Sequence, residues 1–258
     1  MGHYIDINVF FVFVISHLLG DFYFQSPKLA GRKKCEYKSV IKHSALYIIP
    51  FAVVAGLYMI IFGWRLWATV AIVANIVAHW AIDSCKYLVI KKRDNQEKII
   101  YIVDQLLHLI VLATTSASCI HGDLCIPETA EKVLLHLTFF MLLLKPANIT
   151  FMKLYGSFRL TDEAPDKDNN FIGLGNKNNE AMGTPGAGRI IGNFERLLCG
   201  IFILLGQYEA LGLTIAAKSI ARYDKISRDA AFSEYYIIGT LFSVLYTIVV
   251  YFLLFHVL

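Results

Sequence analysis

The sequence predicts an all-α fold, a polytopic transmembrane helical bundle, and three observations carry that expectation. Of 258 residues, 57% are hydrophobic and only 17% are charged, whereas soluble domains carry roughly a quarter charged residues. Mean hydropathy is +0.55. Apolar runs of about 18 residues or more, long enough to cross a bilayer, recur along the whole chain.

Eight apolar segments are expected, at roughly 5–24, 43–63, 66–90, 99–118, 132–151, 190–206, 208–222 and 236–258. The first has no basic stretch before it and no small-residue cleavage pattern after it, so it reads as a retained helix and not a signal peptide. The seventh is short and charged, which fits a re-entrant segment or a helix shielded by its neighbours. Three parts follow: a transmembrane bundle over 1–151, a glycine-rich loop over 152–189 and a C-terminal transmembrane bundle over 190–258. The loop holds Gly173, Gly175, Gly183, Gly186 and Gly188 among polar residues such as Asp166-Lys167-Asp168-Asn169-Asn170. It reads as a substrate lid or a linker.

Charge sets the orientation. Lys28, Arg32, Lys33, Lys34, Lys38 and Lys42 follow the first segment, Lys91, Lys92, Arg93 and Lys98 the third, and Lys225 and Arg228 the seventh. The stretch after the fourth carries Asp123, Glu128 and Glu131 instead. Alternating crossings put the basic clusters on one side, which the positive-inside rule makes cytoplasmic. The expected location is the cytoplasmic (inner) membrane with both termini outside. The cysteines form no metal or redox signature, and only Cys119 and Cys125 are close enough in sequence to suggest a disulfide in an oxidising compartment.

The chemistry-bearing residues are three His/Asp pairs at i,i+4: His17/Asp21, His79/Asp83 and Asp104/His108, with His43 opening the second segment. That spacing puts both members on one helix face. Ionisable groups at membrane depth cost several kcal/mol unless paired, hydrated or metal-bound. The topology brings all seven to the cytoplasmic half. Imidazole and carboxylate together suit a divalent metal, zinc or manganese, as one ion or two. Mutual pairing that orders the bundle, or a proton pathway, is the competing reading. Gln25 and Gln105 beside the pairs suit supporting or packing roles.

A second polar set lies in the C-terminal half. Arg189, Arg196, Lys218 and Arg222, with Lys86 from the third segment, suit an anionic headgroup or phosphate, because guanidinium matches phosphate oxygens bidentately. The alternative is an ion-pair network in which Glu195 or Glu234 meets Lys218 or Arg222.

The strings His17-Leu-Leu-Gly-Asp21-Phe-Tyr-Phe-Gln25, His79-Trp-Ala-Ile-Asp83-Ser-Cys-Lys86 and Asp104-Gln-Leu-Leu-His108 resemble a bacterial membrane family, domain of unknown function 3307. So does the stretch from Glu195-Arg196 through Lys218 and Arg222 to Glu234 and Gly239. The N-terminal half is also distantly similar to LexA-binding inner-membrane proteins labelled metal-dependent hydrolases, through His43-Ser44, Gly20-Asp21 and His79/Asp83. That likeness implies a metal-dependent membrane hydrolase; the second half has no counterpart there.

The functional expectation is therefore a membrane-embedded, metal-dependent hydrolase acting near the cytoplasmic leaflet on an anionic, phosphate-bearing or lipid substrate. Its partners would be the lipid bilayer and an anionic small molecule or lipid headgroup, not nucleic acid. An ion- or proton-coupled transporter would instead use the His/Asp cluster as a relay. A regulatory membrane protein would recruit a partner through the 152–189 loop.

Overall fold

The structure is a computed structural model that describes residues 7–92, 96–119, 127–158 and 187–257. Every regular element among them is helical: α1 (Ile7–Leu18), α2 (Pro27–Arg32), α3 (Tyr37–Phe62), α4 (Leu66–Lys92), α5 (Glu97–Ala117), α6 (Glu128–Leu143), α7 (Lys145–Tyr155), α8 (Ala187–Leu204), α9 (Tyr208–Ile220), α10 (Tyr223–Arg228) and α11 (Ala230–Phe252). Most of the loop expected at 152–189, and Cys125 of the expected disulfide, fall outside the described residues. Tyr155 still belongs to α7, and the helix α8 starts before Arg189.

Among the described residues, five helices are long and apolar enough to cross a membrane: Tyr37–Phe62, Leu66–Lys91, Glu97–Ala117, Glu128–Tyr155 and Ala230–Val257. The protein is a helical membrane protein on that ground, and the described residues hold five helices of spanning length beside the eight apolar segments expected. Helix α9 shows why the numbers differ. Its 13 residues reach only about 20 Å at a rise of 1.5 Å per residue, short of a hydrocarbon core of about 30 Å. The first apolar stretch, Asn8–Tyr23, is likewise one of the shorter helices.

The chain divides into two compact units, Met1–Thr138 and Phe139–Leu258. In the first, α4 packs between α3 and α5, and α1 lies against α3 and α5. Its interior is apolar with a polar cluster inside it, and its outward faces are apolar as well. Ile48, Val53, Leu57, Ile60 and Ile61 of α3 face outward, as do Ile102, Leu106, Leu109 and Ile110 of α5, where lipid would meet them. Buried instead are Asn75, His43, His79, Asp83, Asp104 and His108, beside the aromatic layer of Phe11, Phe13, Tyr47 and Phe51. Apolar burial gives little drive for association in lipid, so polar contacts between helices carry specificity. Asn75 illustrates this: its Nδ2 donates to Ala71 O at 2.9 Å, and its amide exchanges hydrogen bonds with Thr115 Oγ1 on α5.

Gly63 ends α3 with φ +76°, a left-handed conformation that only glycine adopts without strain. In the second unit α8 packs on α11 and α9, and α7 on α11. Phe139 is fully buried among Tyr251 and Phe255. Replacing Asn75 by alanine should cost about 1 kcal/mol of α4–α5 association. A lowered thermal midpoint of the detergent-purified chain would check this; an unchanged midpoint would count against the Asn75–Thr115 contact as a stabilising bond.

Candidate metal centre

Four helices of the first unit deliver imidazoles and carboxylates to one place. Past α1 the chain winds Leu19–Tyr23 as a π turn, with Phe24 N–H donating to Leu19 O at 2.7 Å. Such wide turns recur at functional sites. Here the turn takes Asp21 away from its expected i,i+4 partner. Asp21 Oδ1 lies 3.1 Å from His43 Nε2, and no ion pair joins it to His17 among the described residues.

His43 Nε2 is also 3.1 Å from His79 Nε2 and 3.5 Å from Asp83 Oδ2, and His79 Nε2 is 3.7 Å from that same oxygen. At a four-coordinate ion with ligand bonds of about 2.0–2.1 Å, neighbouring ligand atoms stand about 3.3–3.4 Å apart. The observed separations lie close to that spacing. Two groups have one ligand atom per residue all within 4.8 Å of one another: Asp21/His43/His79 and His79/Asp83/His108.

His108 supplies an independent indication. Its Nδ1 lies 2.8 Å from Asp104 O. A carbonyl only accepts, so Nδ1 carries the proton and a neutral ring presents a lone pair at Nε2. That Nε2 is buried and has no hydrogen-bond partner among the described residues. A ring pinned by a backbone carbonyl at one nitrogen and free at the other is how metal-ligating histidines are commonly set.

The remaining expected ligands stand beside these groups. His17 Nδ1 meets Tyr47 Oη at 3.1 Å, and its ring stacks on His108 at 5.0 Å between centroids. Asp104 belongs to neither group; its Oδ2 is held by Lys86 Nζ at 2.7 Å and by Gln105 Nε2 at 3.0 Å. Lys86 is thereby engaged with Asp104 and not free for an anion. Gln25 Oε1 sits 3.5 Å from Lys33 Nζ.

Two residues of the site escaped the sequence reading. Tyr47 stacks flat on His79, with centroids 3.5 Å apart and planes within 1°. Its signal was present, for Tyr47 stands four residues after His43 and shares its face. Lys33 ion-pairs with Asp83 Oδ2 at 2.6 Å, and was hidden among basic residues that look like ordinary positive-inside anchors. Gly20 makes room for Tyr47: a Cβ there would lie 2.6 Å from Tyr47 Cδ2 and 3.2 Å from its Cα.

The basic residues of the second unit have other partners. Arg196 was expected at an anion, but its guanidinium is buried and internally occupied. Nε donates to Leu143 O at 2.6 Å, and Nη2 donates to Asn148 Oδ1 at 2.6 Å and Asn193 Oδ1 at 2.9 Å. The cause is a break within the Glu128–Tyr155 span. Pro146 has no N–H to offer Leu142 O four residues back, and Leu144 leaves helical geometry with ψ −105°. Tyr246 Oη donates to Leu142 O at 3.2 Å, while Arg196 takes Leu143 O. Irregular backbone at membrane depth is tolerated where protein groups satisfy it in this way.

Lys218 Nζ pairs with Glu195 Oε2 at 2.5 Å and reaches Thr240 Oγ1 at 3.0 Å, the ion-pair alternative of the sequence reading. Arg222 lies over the Phe232 ring at 5.9 Å, and Arg189 and Glu234 are exposed.

A bundle of membrane-length helices around a buried His/Asp cluster defines the class. A family described as "Protein of unknown function (DUF3307)" matches residues 9–146, and the chain belongs to that family. The match spans every helix of the metal-type cluster and leaves out the Glu195–Gly239 stretch on which the resemblance also drew. No curated protein and no solved structure matches the chain.

Gly20→Ala should cost about 1–3 kcal/mol by overpacking against Tyr47, seen as a lower thermal midpoint; an unaltered midpoint would deny the close approach. Arg196→Gln should destabilise the fold, at about 1–3 kcal/mol for each buried group left unsatisfied, and Arg196→Lys should not restore it because an ammonium lacks the fork. A variant with native stability but weakened ligand binding would instead return Arg196 to an anion-binding role.

Proposed function

We propose that the chain is a membrane-embedded, metal-dependent hydrolase whose centre lies near the cytoplasmic leaflet and acts on an anionic, phosphate-bearing or lipid substrate. The observation that carries this reading is the convergence of Asp21 Oδ1, His43 Nε2, His79 Nε2 and Asp83 Oδ2 inside the bundle. The likeness to LexA-binding, inner-membrane proteins labelled metal-dependent hydrolases rests on those four residues together with Gly20 and Ser44. Positive-inside charge supports a cytoplasmic position, with both termini outside.

The donor set fits one zinc or manganese ion better than two. His79 belongs to both ligand groups, and a neutral imidazole offers a metal only one lone pair. Asp21, His43 and His79 would supply three protein ligands, and an open position would take water. A divalent ion so held would lower the pKa of that water towards neutrality and so supply a nucleophile. Asp83, within 4 Å of both ring nitrogens, is placed to accept the proton from that water. Tyr47 and His108 pack their rings against His79.

A transporter is the second reading, and one observation favours it: the break between α6 and α7 inside a span, a feature of carriers whose unwound carbonyls coordinate ions. Here Arg196 and Tyr246 occupy those carbonyls, so hydrolysis is preferred. The partner-recruiting reading rests on a loop whose residues 159–186 lie outside the described residues.

Metal analysis of the detergent-purified chain tests the proposal directly. Wild-type protein should retain about one zinc or manganese per chain, and His79→Ala, which removes the ligand common to both groups, should retain less than a tenth of that. Trace metal alike in both proteins would sink the hydrolase reading. Uptake into liposomes without turnover of any phosphoester would replace it with the carrier.

A further inference from the structure

Lys33 ends the short helix α2, outside the helices that carry the histidines, yet its ammonium reaches into their centre. It sits 2.6 Å from Asp83 Oδ2, with the two side chains 12% and 1% exposed. That oxygen is the one facing both His43 Nε2 and His79 Nε2, at 3.5 and 3.7 Å. The ammonium therefore holds the carboxylate atom that stands nearest the two ligand nitrogens. Gln25 Oε1, on the chain between α1 and α2, lies 3.5 Å from the same ammonium.

Electrostatics requires a cation there. Asp21 and Asp83 place two carboxylates against imidazoles that carry no charge when neutral, and burial makes uncompensated charge expensive. Lys33 on Asp83 is one such cation, and Lys86 on Asp104 is a second. A divalent ion bound by Asp21, His43 and His79 reverses the balance, because it would stand within a few ångströms of Lys33 and repel it. A lysine suits such exchange: its stem is long and rotatable, and its three N–H donors need no fixed plane.

We propose that Lys33 is a tethered counter-cation of the metal-free centre, that a divalent ion displaces it from Asp83, and that the released ammonium then receives the anionic group of the substrate. The proposal rests on the metal-dependent reading and adds to it an order of events. Metal enters first and frees the group that recognises the anion, so metal and anion bind with positive coupling. Without metal, the anion site is filled by the protein's own Asp83 carboxylate.

The test uses the full chain in detergent, with zinc and inorganic phosphate as probes. In wild-type protein, amine acetylation read by mass spectrometry should label Lys33 at least about fivefold faster once zinc is added, with exposed Lys28 as an internal reference. Lys33→Gln should bind zinc about tenfold more tightly than wild type in calorimetry, and should lose the zinc-dependent binding of phosphate. Lys33→Arg, which keeps the charge, should bind zinc with wild-type affinity. Zinc uptake with Lys33 labelling unchanged or slowed would overturn this proposal and leave the metal centre standing. A wild-type chain that takes up no zinc or manganese would overturn both. The labelling arm uses unaltered protein, so it decides the matter even where Lys33→Gln does not fold.

Discussion

Burying charge between lipid-facing helices is costly, and that cost organises the first unit of this protein. Four imidazoles and three carboxylates lie among α1, α3, α4 and α5, with His43, His79, Asp83, Asp104 and His108 nearly inaccessible. Each must find a partner inside the protein, since lipid offers none. The partners found are mutual: His43 with His79 and Asp21, Asp83 with Lys33, Asp104 with Lys86. Cross-helix pairs of this kind hold together a bundle whose outward faces are isoleucine and leucine.

The same constraint explains the second unit, where the chemistry is different. Pro146 interrupts a span, and the carbonyls of Leu142 and Leu143 are met by Tyr246 and Arg196. A buried guanidinium with several acceptors is a structural device here, and it offers no lone pair to a metal. The two units thus show two outcomes of one rule. Where the polar groups are backbone carbonyls the solution is a donor, and where they are lone-pair-bearing side chains a cation fits.

Much of this was legible in the residues. Composition and run length predicted a helical membrane protein, and i,i+4 spacing identified every histidine and aspartate of the cluster except His43, which was recognised by its place at the head of a segment. Spacing could not say that Asp21 would leave His17 for His43, because the π turn at Leu19–Tyr23 changes the phase of the helix at that point. Nor could it separate Lys33 from Lys28 or Lys34, since all three look alike in a basic loop. Arg196 misled for a related reason. An arginine near a glycine-rich run resembles an anion site until the break at Leu144 shows which oxygens it serves.

The sequence by itself determined which groups would be buried and expensive, because hydropathy marks the spans and ionisable residues inside them stand out against it. It also determined which residues share a helix face, since that follows from 3.6 residues per turn. Only the tertiary structure decided who faces whom. A helix face says nothing of the neighbour it meets, and the neighbours here set the chemistry: two Nε2 atoms 3.1 Å apart from α3 and α4, and a lysine from a short flanking helix seated on Asp83.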